Sequence, residues 1–234
     1  MPRFKHEFGA FDYQLIRTAR RTISIQIDPA KGVIVRAPKK AKTSEISNLL
    51  EKKIRWVNKH LAEARNKASE VPRHSYQAGD VFLYRGEKHM LSYKTGKQNR
   101  VEVSGYFLIV TLKPETGQGK VPELLEKWYR ARAREIFIER TVNYARQLGV
   151  APGRISVRGQ TRRWGSCSAK GNLSFNWKLV MAPPEILDYV VAHELCHLEH
   201  MDHQPGFWKM LGRVMPDYEI HRRWLKQNGH KLGL

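Results

Sequence analysis

The sequence has little cysteine and no long apolar segment. Its 234 residues include two cysteines, Cys167 and Cys196, and their spacing does not suggest a disulfide framework. No uncharged apolar run reaches the roughly 18 residues that a membrane-spanning helix needs, and the amino terminus lacks the apolar core of a secretion signal. We therefore expect a reduced, cytoplasmic protein with no membrane partner.

Acidic residues are also scarce. The chain has 22 Asp and Glu against 42 Lys and Arg, which gives a formal net charge of +20. A positive field of this kind raises the rate of association with anionic molecules but does not identify them. The charge leaves nucleic acid or a nucleotide open as a partner, with a basic surface that has no dedicated ligand as the alternative.

The first half of the chain is predicted to be β-rich. Residues 21–27 and 32–37 alternate β-branched and polar side chains on either side of a turn, which predicts a hairpin. The apolar spacing over residues 43–67 predicts one amphipathic helix, and three or four further strands are predicted within residues 72–113. Residues 1–113 are thus expected to form a β-rich region with one helix.

The second half is predicted to be a separate domain over residues 120–234. A Pro- and Gly-containing polar segment, residues 113–120, is the best candidate for a linker. A long helix that stops at Gly149, a small sheet and a helix that starts near Pro184 are predicted to follow. Two short helices are predicted near residues 205–214 and 217–228. The fold class is therefore α+β, and we see no internal repeat in the sequence.

The densest group of chemically active side chains lies in the segment VAHELCHLEHMDHQPGFW, residues 191–208. His193 and His197 are one turn apart on the predicted helix, so both imidazoles can bind one ion. Glu194 lies on the flank of this pair, where it can take a proton from a metal-activated water. Apolar residues upstream form a stripe, which a buried active-site helix requires.

A catalytic zinc site needs a third protein ligand and an open fourth position. On a continued helix His200 would lie about 10 Å along the axis from His193, too far to share an ion easily. The spacing of His193, His197 and His203 matches the pattern H-E-x-x-H-x-x-G-x-x-H, with His200 at the glycine position. We expect His200 to make the left-handed turn that ends the helix and brings His203 back to the metal.

Other residues near this segment have alternative interpretations. The segment TRRWGSCSAKG, residues 161–171, is either a structural turn beside the site or a phosphate-binding loop flanked by Arg162 and Arg163. An extended peptide substrate adds main-chain hydrogen bonds to a strand edge, and residues 172–177 are either that edge or an ordinary strand of the sheet. Cys196 is expected to be a packed core residue. Met215 is either a methionine beneath the metal or an ordinary core residue. Tyr218, His221 and Arg222 are candidates for oxyanion or substrate contacts.

Three segments together resemble a known family. RRWGSC, NLSFNWKLVMAPPEILDYVVAHELCHLEHMDHQPGFW and MPDYEIHRRWL look like the YgjP-like metallopeptidase domain family, which is distantly similar to the SprT-like and WLM zinc proteases. The resemblance covers most of the chain and is densest over residues 162–224. It implies a zincin-like HExxH metallopeptidase domain with a small sheet and several helices. It also implies a zinc ion held by His193, His197 and His203, with Glu194 as the catalytic residue and a polypeptide as the substrate.

Three functions remain in competition at this point. The first is a zinc metallopeptidase. The second is a metal-dependent nucleotide hydrolase that cleaves a phosphoanhydride, but the sequence lacks the carboxylate cluster that usually holds magnesium for such chemistry. The third is a DNA-associated SprT-like protease or a nucleic-acid-binding module with a structural zinc. Glu194 argues against a purely structural site, because such a site needs no general base. The sequence leaves the oligomeric state open.

Overall fold

The computed structural model describes residues 1–28, 31–160 and 163–234. The chain divides into two compact units, Met1–Val71 and Pro72–Leu234. Strands and helices occur together in each unit, so the fold class is α+β, as predicted. No helix in the described ranges combines the length and the apolar character that crossing a bilayer requires.

The first unit is a four-stranded sheet with one long helix. Its elements are β1 (Arg3–His6), β2 (Gly9–Thr18), β3 (Ser24–Asp28), β4 (Gly32–Pro38) and α1 (Thr43–Ser69). The strand order is β1-β2-β4-β3, in which β2 and β4 are parallel and the two outer pairs are antiparallel. The apolar stripe of α1 is buried against this sheet. The β3–β4 hairpin and α1 agree with the prediction, although Pro29 and Ala30 of the predicted turn lie outside the described residues.

The second unit begins with the same arrangement of strands. Its first elements are β5 (Val81–Tyr84), β6 (Glu87–Thr95), β7 (Arg100–Ser104), β8 (Phe107–Leu112) and α2 (Val121–Leu148). The order is β5-β6-β8-β7, again with a parallel central pair and antiparallel outer pairs. The two helices have 27 and 28 residues. The two units thus repeat one strand order, although the sequence has no visible internal repeat.

The boundary between the compact units differs from the predicted one. The Pro- and Gly-containing segment at residues 113–120 connects β8 to α2 inside the second unit, and the division lies between Val71 and Pro72. Leu108 of β8 and Leu125 of α2 are fully buried in one apolar cluster. A connection between two elements that share a core is a loop, whatever its composition.

The remaining elements build a small sheet and a group of helices. They are β9 (Ile155–Arg158), β10 (Gly165–Cys167), β11 (Leu173–Asn176), α3 (Pro184–Cys196), α4 (Pro205–Val214) and α5 (Tyr218–Asn228), with short 3-10 helices at Gln118–Lys120, Trp177–Met181 and Gly229–Lys231. The sheet order is β10-β11-β9, with β11 antiparallel to β10 and parallel to β9. As predicted, α2 stops at Gly149, whose φ of 72° is in the left-handed region that favours glycine.

One core connects α2, the small sheet and α3. Phe137 of α2 stacks on Phe175 of β11, with ring centroids 4.5 Å apart and an interplanar angle of 10°. Val191 and Leu195 of α3 have no exposed surface and belong to the same cluster. The packing of α3 in this core fixes the position of the residues that it presents.

The stacked phenylalanine pair generates a stability prediction. Phe137→Ala should lower the free energy of unfolding by about 3–5 kcal/mol, because it removes a fully buried ring and leaves a cavity. Urea unfolding followed by circular dichroism measures the change. The neighbouring Ile138, 41% exposed, supplies the matched control. Ile138→Ala should change the free energy by about 0.5 kcal/mol or less, and equal effects of the two substitutions would contradict this account of the core.

Candidate active site

Three imidazoles converge at the carboxyl end of α3. His193 comes from the last turn of this helix, His197 is the residue that caps its carboxyl end, and His203 comes from the loop before α4. One ring nitrogen of each histidine lies within 4.8 Å of those of the other two. The Nε2 atoms of His193 and His203 are 3.2 Å apart. Two nitrogen ligands of tetrahedral zinc lie about 3.3 Å apart, given zinc–nitrogen bonds of about 2.0–2.1 Å, so the donor set fits this ion.

The helix ends differently from the prediction. It stops at Cys196, where the backbone N–H groups of Leu198 and Glu199 donate to carbonyls three residues back, at 3.0 and 3.2 Å. His200 is not among the residues with a positive φ. The prediction that His200 makes a left-handed turn is therefore wrong. A tightened last turn of 3-10 type ends the helix earlier and frees the chain without that conformation.

Neighbouring groups hold the three imidazoles in place. The Nδ1–H group of His197 donates to the backbone oxygen of His200 at 2.9 Å, which leaves Nε2 of His197 for a metal. Trp208 donates from Nε1–H to the backbone oxygen of His203 at 2.9 Å. The fully buried ring of Phe207 lies behind the group, with its centroid 4.9, 4.8 and 4.7 Å from the three imidazole centroids. Both aromatic residues are thus part of the support of the site.

The surroundings of the triad favour neutral imidazoles. Burial, together with the charges of His197, His203 and Arg222, lowers the pKa of His193 to about 3. Burial also lowers the pKa of His203, again with help from His197 and Arg222. Neutral imidazole is the form that binds a metal ion, so protons compete little with the metal at these two rings.

The Glu194 carboxyl is buried against strand β10. It is 6% exposed, and burial raises its pKa to about 7, although a hydrogen bond from the backbone N–H of Cys167 and the charge of Arg163 act in the opposite direction. A Cβ atom added to Gly165 would lie 2.5 Å from Oε1 of Glu194. Only glycine leaves room for the carboxylate at this point. The sequence interpretation missed Gly165, for which the available indication was a glycine within a short strand, a mark of close approach.

Strand β10 has one open edge, and this edge faces Glu194. Trp164 accepts a hydrogen bond from β11 at 2.8 Å, and Ser168 donates one to the residue before β11 at 3.0 Å. Because alternate residues of an antiparallel strand point their backbone groups to the same side, those of Gly165 and Cys167 point to the other side. The hydrogen bond from Cys167 to Glu194 agrees with this assignment.

The substrate edge predicted at residues 172–177 is therefore wrong. Strand β11, Leu173–Asn176, is the central strand of the sheet, and its backbone is paired with β10 on one side and β9 on the other. Sequence alternation does not distinguish a central strand from an edge strand in so short a segment. The segment interpreted as a turn or a phosphate loop contains β10, followed by a turn in which the N–H of Gly171 donates to the backbone oxygen of Ser168 at 2.8 Å. Thr161 and Arg162 lie outside the described residues.

The structure also shows the burial and contacts of the other residues that were named from the sequence. Cys196 has no exposed surface, and burial raises its thiol pKa to about 12, so it remains a protonated core residue. Met215 is also buried in the core. Tyr218 stacks on Trp208 with centroids 5.2 Å apart, and the Arg222 guanidinium lies 5.1 Å from the same ring. His221 is not among the described residues that contact this aromatic group.

The triad generates a metal-binding prediction. His203→Ala should abolish binding of one zinc ion per chain, because two imidazoles on one helix leave the site short of a ligand. His200→Ala is the matched control and should keep the zinc, because only the backbone oxygen of His200 supports the site. Elemental analysis after dialysis gives the zinc content of both variants. Loss of zinc from His200→Ala with retention in His203→Ala would contradict the assignment.

Comparison with known proteins adds a family to this geometry. Residues 21–228 match the family model described as YgjP-like, metallopeptidase domain. No curated protein matches the chain.

Two similar solved structures are the metallopeptidase zymogens of Pyrococcus abyssi abylysin and Methanocaldococcus jannaschii jannalysin. The first is 18% identical, with 42% of this chain and 99% of that chain covered and a TM-score of 0.37. The second is 21% identical, with 40% and 88% covered and a TM-score of 0.35. These two similarities are too low to carry an argument, but the family match extends over most of the sequence, and the chain belongs to the YgjP-like family of metallopeptidase domains.

Proposed function

We propose that this chain is a zinc-dependent peptidase in which His193, His197 and His203 hold the metal and Glu194 is the general base. The observation that carries the proposal is the convergence of three imidazole nitrogens beside a buried carboxyl. The metallopeptidase family supports metal-dependent cleavage of a polypeptide. The finer assignment, with zinc as the metal and each residue in its role, rests on the chemistry of the donor set.

Three neutral imidazoles are a ligand set that suits zinc in a catalytic site. Within the described ranges, the His triad is the group of potential metal ligands that the structure brings together. A structural site would close the fourth position with another protein ligand, and the neighbouring Cys196 is buried and protonated. When bound, zinc supplies a Lewis acid that activates water and polarises a carbonyl group.

Glu194 supplies proton transfer at its carboxylate oxygens. It takes a proton from the attacking water and delivers it to the nitrogen of the leaving amine. The backbone hydrogen bond from Cys167 and the close contact with Gly165 hold the carboxylate in one place, so little reorganisation accompanies the reaction. Its burial shields the carboxylate from bulk water.

The open edge of β10 supplies a binding surface for an extended polypeptide. The backbone N–H and C=O of Gly165 face this edge, and no backbone group in the described part of the chain pairs with them, so they can pair with a substrate strand. Such pairing uses main-chain groups, which every polypeptide has. It would place the substrate backbone directly beside Glu194, because the same glycine contacts that carboxyl.

A nucleotide hydrolase or a nucleic-acid module would need other features. Phosphoanhydride cleavage commonly uses magnesium held by carboxylates, whereas the metal-binding group of the described residues consists of histidines. The net charge of +20 favours anionic partners in general without indicating a site. Both functions are therefore tested as separate arms of the experiment below.

Glu194→Gln should lower kcat for peptide cleavage by at least about 100-fold, because it removes the proton acceptor. The zinc content should be unchanged, since the substituted residue is not a ligand. The assay uses an unfolded protein, nucleoside triphosphates, and the same protein with added DNA. Nucleotide turnover without peptide cleavage would contradict the proposal, as would a Glu194→Gln variant with wild-type activity. Cleavage that requires DNA would favour a DNA-associated protease.

Gly165→Ala should lower kcat/KM by about 10- to 100-fold while zinc stays bound. The added methyl group would lie 2.5 Å from the Glu194 carboxylate, and a displacement of about 1 Å is enough to cost this much rate. Gly119→Ala, where an added Cβ meets no atom within 4 Å, is the matched control and should be fully active. A fully active Gly165→Ala variant would show that the contact does not position the carboxylate.

A further inference from the structure

A cavity of about 420 Å³ lies at the amino end of β10, next to the residues that contact Glu194. Its walls combine two permanent cations, a histidine, two carboxamides, a tryptophan and a leucine. The lining residues are Gly159, Gln160, Arg163, Trp164, Asn176, Lys178, Gly229, His230 and Leu232. None of these described residues is acidic, so the cavity suits a ligand with a negative charge and some apolar surface.

The two permanent cations are available to such a ligand. Neither Arg163 nor Lys178 forms an ion pair with a carboxylate in the described part of the chain. The Lys178 ammonium lies 5.8 Å from the centroid of the Trp177 ring, within the range of a cation–π contact. Trp164, which lines the cavity, directly precedes Gly165, and an added Cβ atom on Gly165 would lie 2.5 Å from Oε1 of Glu194. The cavity therefore begins one residue before the point at which the strand contacts the proposed general base.

The cavity is built from ordered groups. Asn176, 2% exposed, donates from its carboxamide to the backbone oxygen of Gln160 at 2.7 Å and accepts from the Lys178 N–H at 3.1 Å. The Trp164 ring packs so closely on Gly229 that an added Cβ there would lie 2.8 Å from it. These contacts connect the end of β11, the segment before β10 and the carboxyl-terminal 3-10 helix. Side-chain contacts therefore hold the described part of the walls in place, and Thr161 and Arg162, between Gln160 and Arg163, lie outside the described residues.

The position of the cavity indicates which part of a substrate would enter it. Trp164 lines the cavity and directly precedes Gly165, whose backbone faces the open edge. Antiparallel pairing is the more stable arrangement for an added strand. A peptide paired in this direction with β10 would run toward the cavity with its carboxyl-terminal side.

We propose that this cavity is a subsite for a carboxylate on the carboxyl-terminal side of the scissile bond. The carboxylate belongs to an acidic side chain or to the free carboxyl terminus of a peptide, and Lys178 and Arg163 bind it. The proposal rests on the proposed peptidase function and narrows its substrate class to peptides with a negative charge at that side. A charge-assisted hydrogen bond of this kind accounts for about a tenfold preference over a neutral peptide.

The test uses three fluorogenic peptides of one core sequence. One is neutral with an amidated terminus, one has glutamate after the scissile bond with an amidated terminus, and one is neutral with a free terminus. Wild type should cleave one or both charged peptides with a kcat/KM about tenfold above that of the neutral one. Lys178→Gln should reduce this ratio to about one, mainly through KM, and Lys178→Arg should restore it.

Lys170→Gln is the matched control, because Lys170 is an exposed lysine beyond the other end of β10. It should keep the tenfold ratio. A wild type that cleaves the three peptides equally would overturn the proposal, and so would a Lys178→Gln variant that keeps the preference. The two charged peptides distinguish a side-chain carboxylate from a terminal one.

A binding measurement separates this proposal from the peptidase function itself. The zinc-loaded Glu194→Gln protein is titrated with each labelled peptide, and fluorescence anisotropy gives the dissociation constant. Even if no peptide is cleaved, Lys178→Gln combined with Glu194→Gln should bind the charged peptide about tenfold more weakly. Inorganic phosphate and glutarate are then added separately as competitors of the labelled peptide. Displacement of the peptide by phosphate at a lower concentration than by glutarate would overturn the proposal and indicate a phosphate site.

Discussion

The contact between the Glu194 carboxyl and the backbone of β10 is the constraint on which the rest of the site depends. Burial of a carboxyl is unfavourable unless hydrogen bonds and nearby positive charge compensate for lost water. The N–H of Cys167 and the charge of Arg163 provide part of this compensation, and the missing side chain of Gly165 provides the space. Helix α3 and strand β10 must therefore keep one relative position, which the shared apolar core maintains.

The imidazole triad depends on a second local feature, the tightened end of α3. Because the helix ends at Cys196, the chain can turn within a few residues and return His203 to the two helical histidines. The His197 ring binds the backbone oxygen of His200, and Trp208 binds that of His203. The loop is thus held at both ends by side chains of the site. The proposed metal ligands and their supporting residues come from one short segment, whereas the residues around Glu194 come from the sheet and the loop before it.

Much of this arrangement could be predicted from the sequence, and the exceptions have physical reasons. The i, i+4 spacing of His193 and His197 and the stop at Gly149 are local properties that a helix dictates. The repeated strand order, the open edge of β10 and the role of Gly165 depend on pairings between distant segments. The left-handed turn at His200 was predicted because His200 stands at the glycine position of the H-E-x-x-H-x-x-G-x-x-H pattern. In the structure, the hydrogen bonds of Leu198 and Glu199 end the helix before that position. The composition of residues 113–120 is typical of a linker. Composition does not reveal, however, that the elements on either side belong to one core.

The central claim is that three imidazoles hold zinc while the Glu194 carboxylate stays off the metal, against β10. A crystal structure of the zinc-loaded protein, with anomalous scattering measured at the zinc edge, tests it most directly. The account predicts one zinc ion bonded to His193, His197 and His203 at about 2.0–2.1 Å, with Glu194 still hydrogen-bonded to the Cys167 N–H. A zinc ion bonded to the Glu194 carboxylate, to Cys196 or to His200 in place of His203 would contradict it.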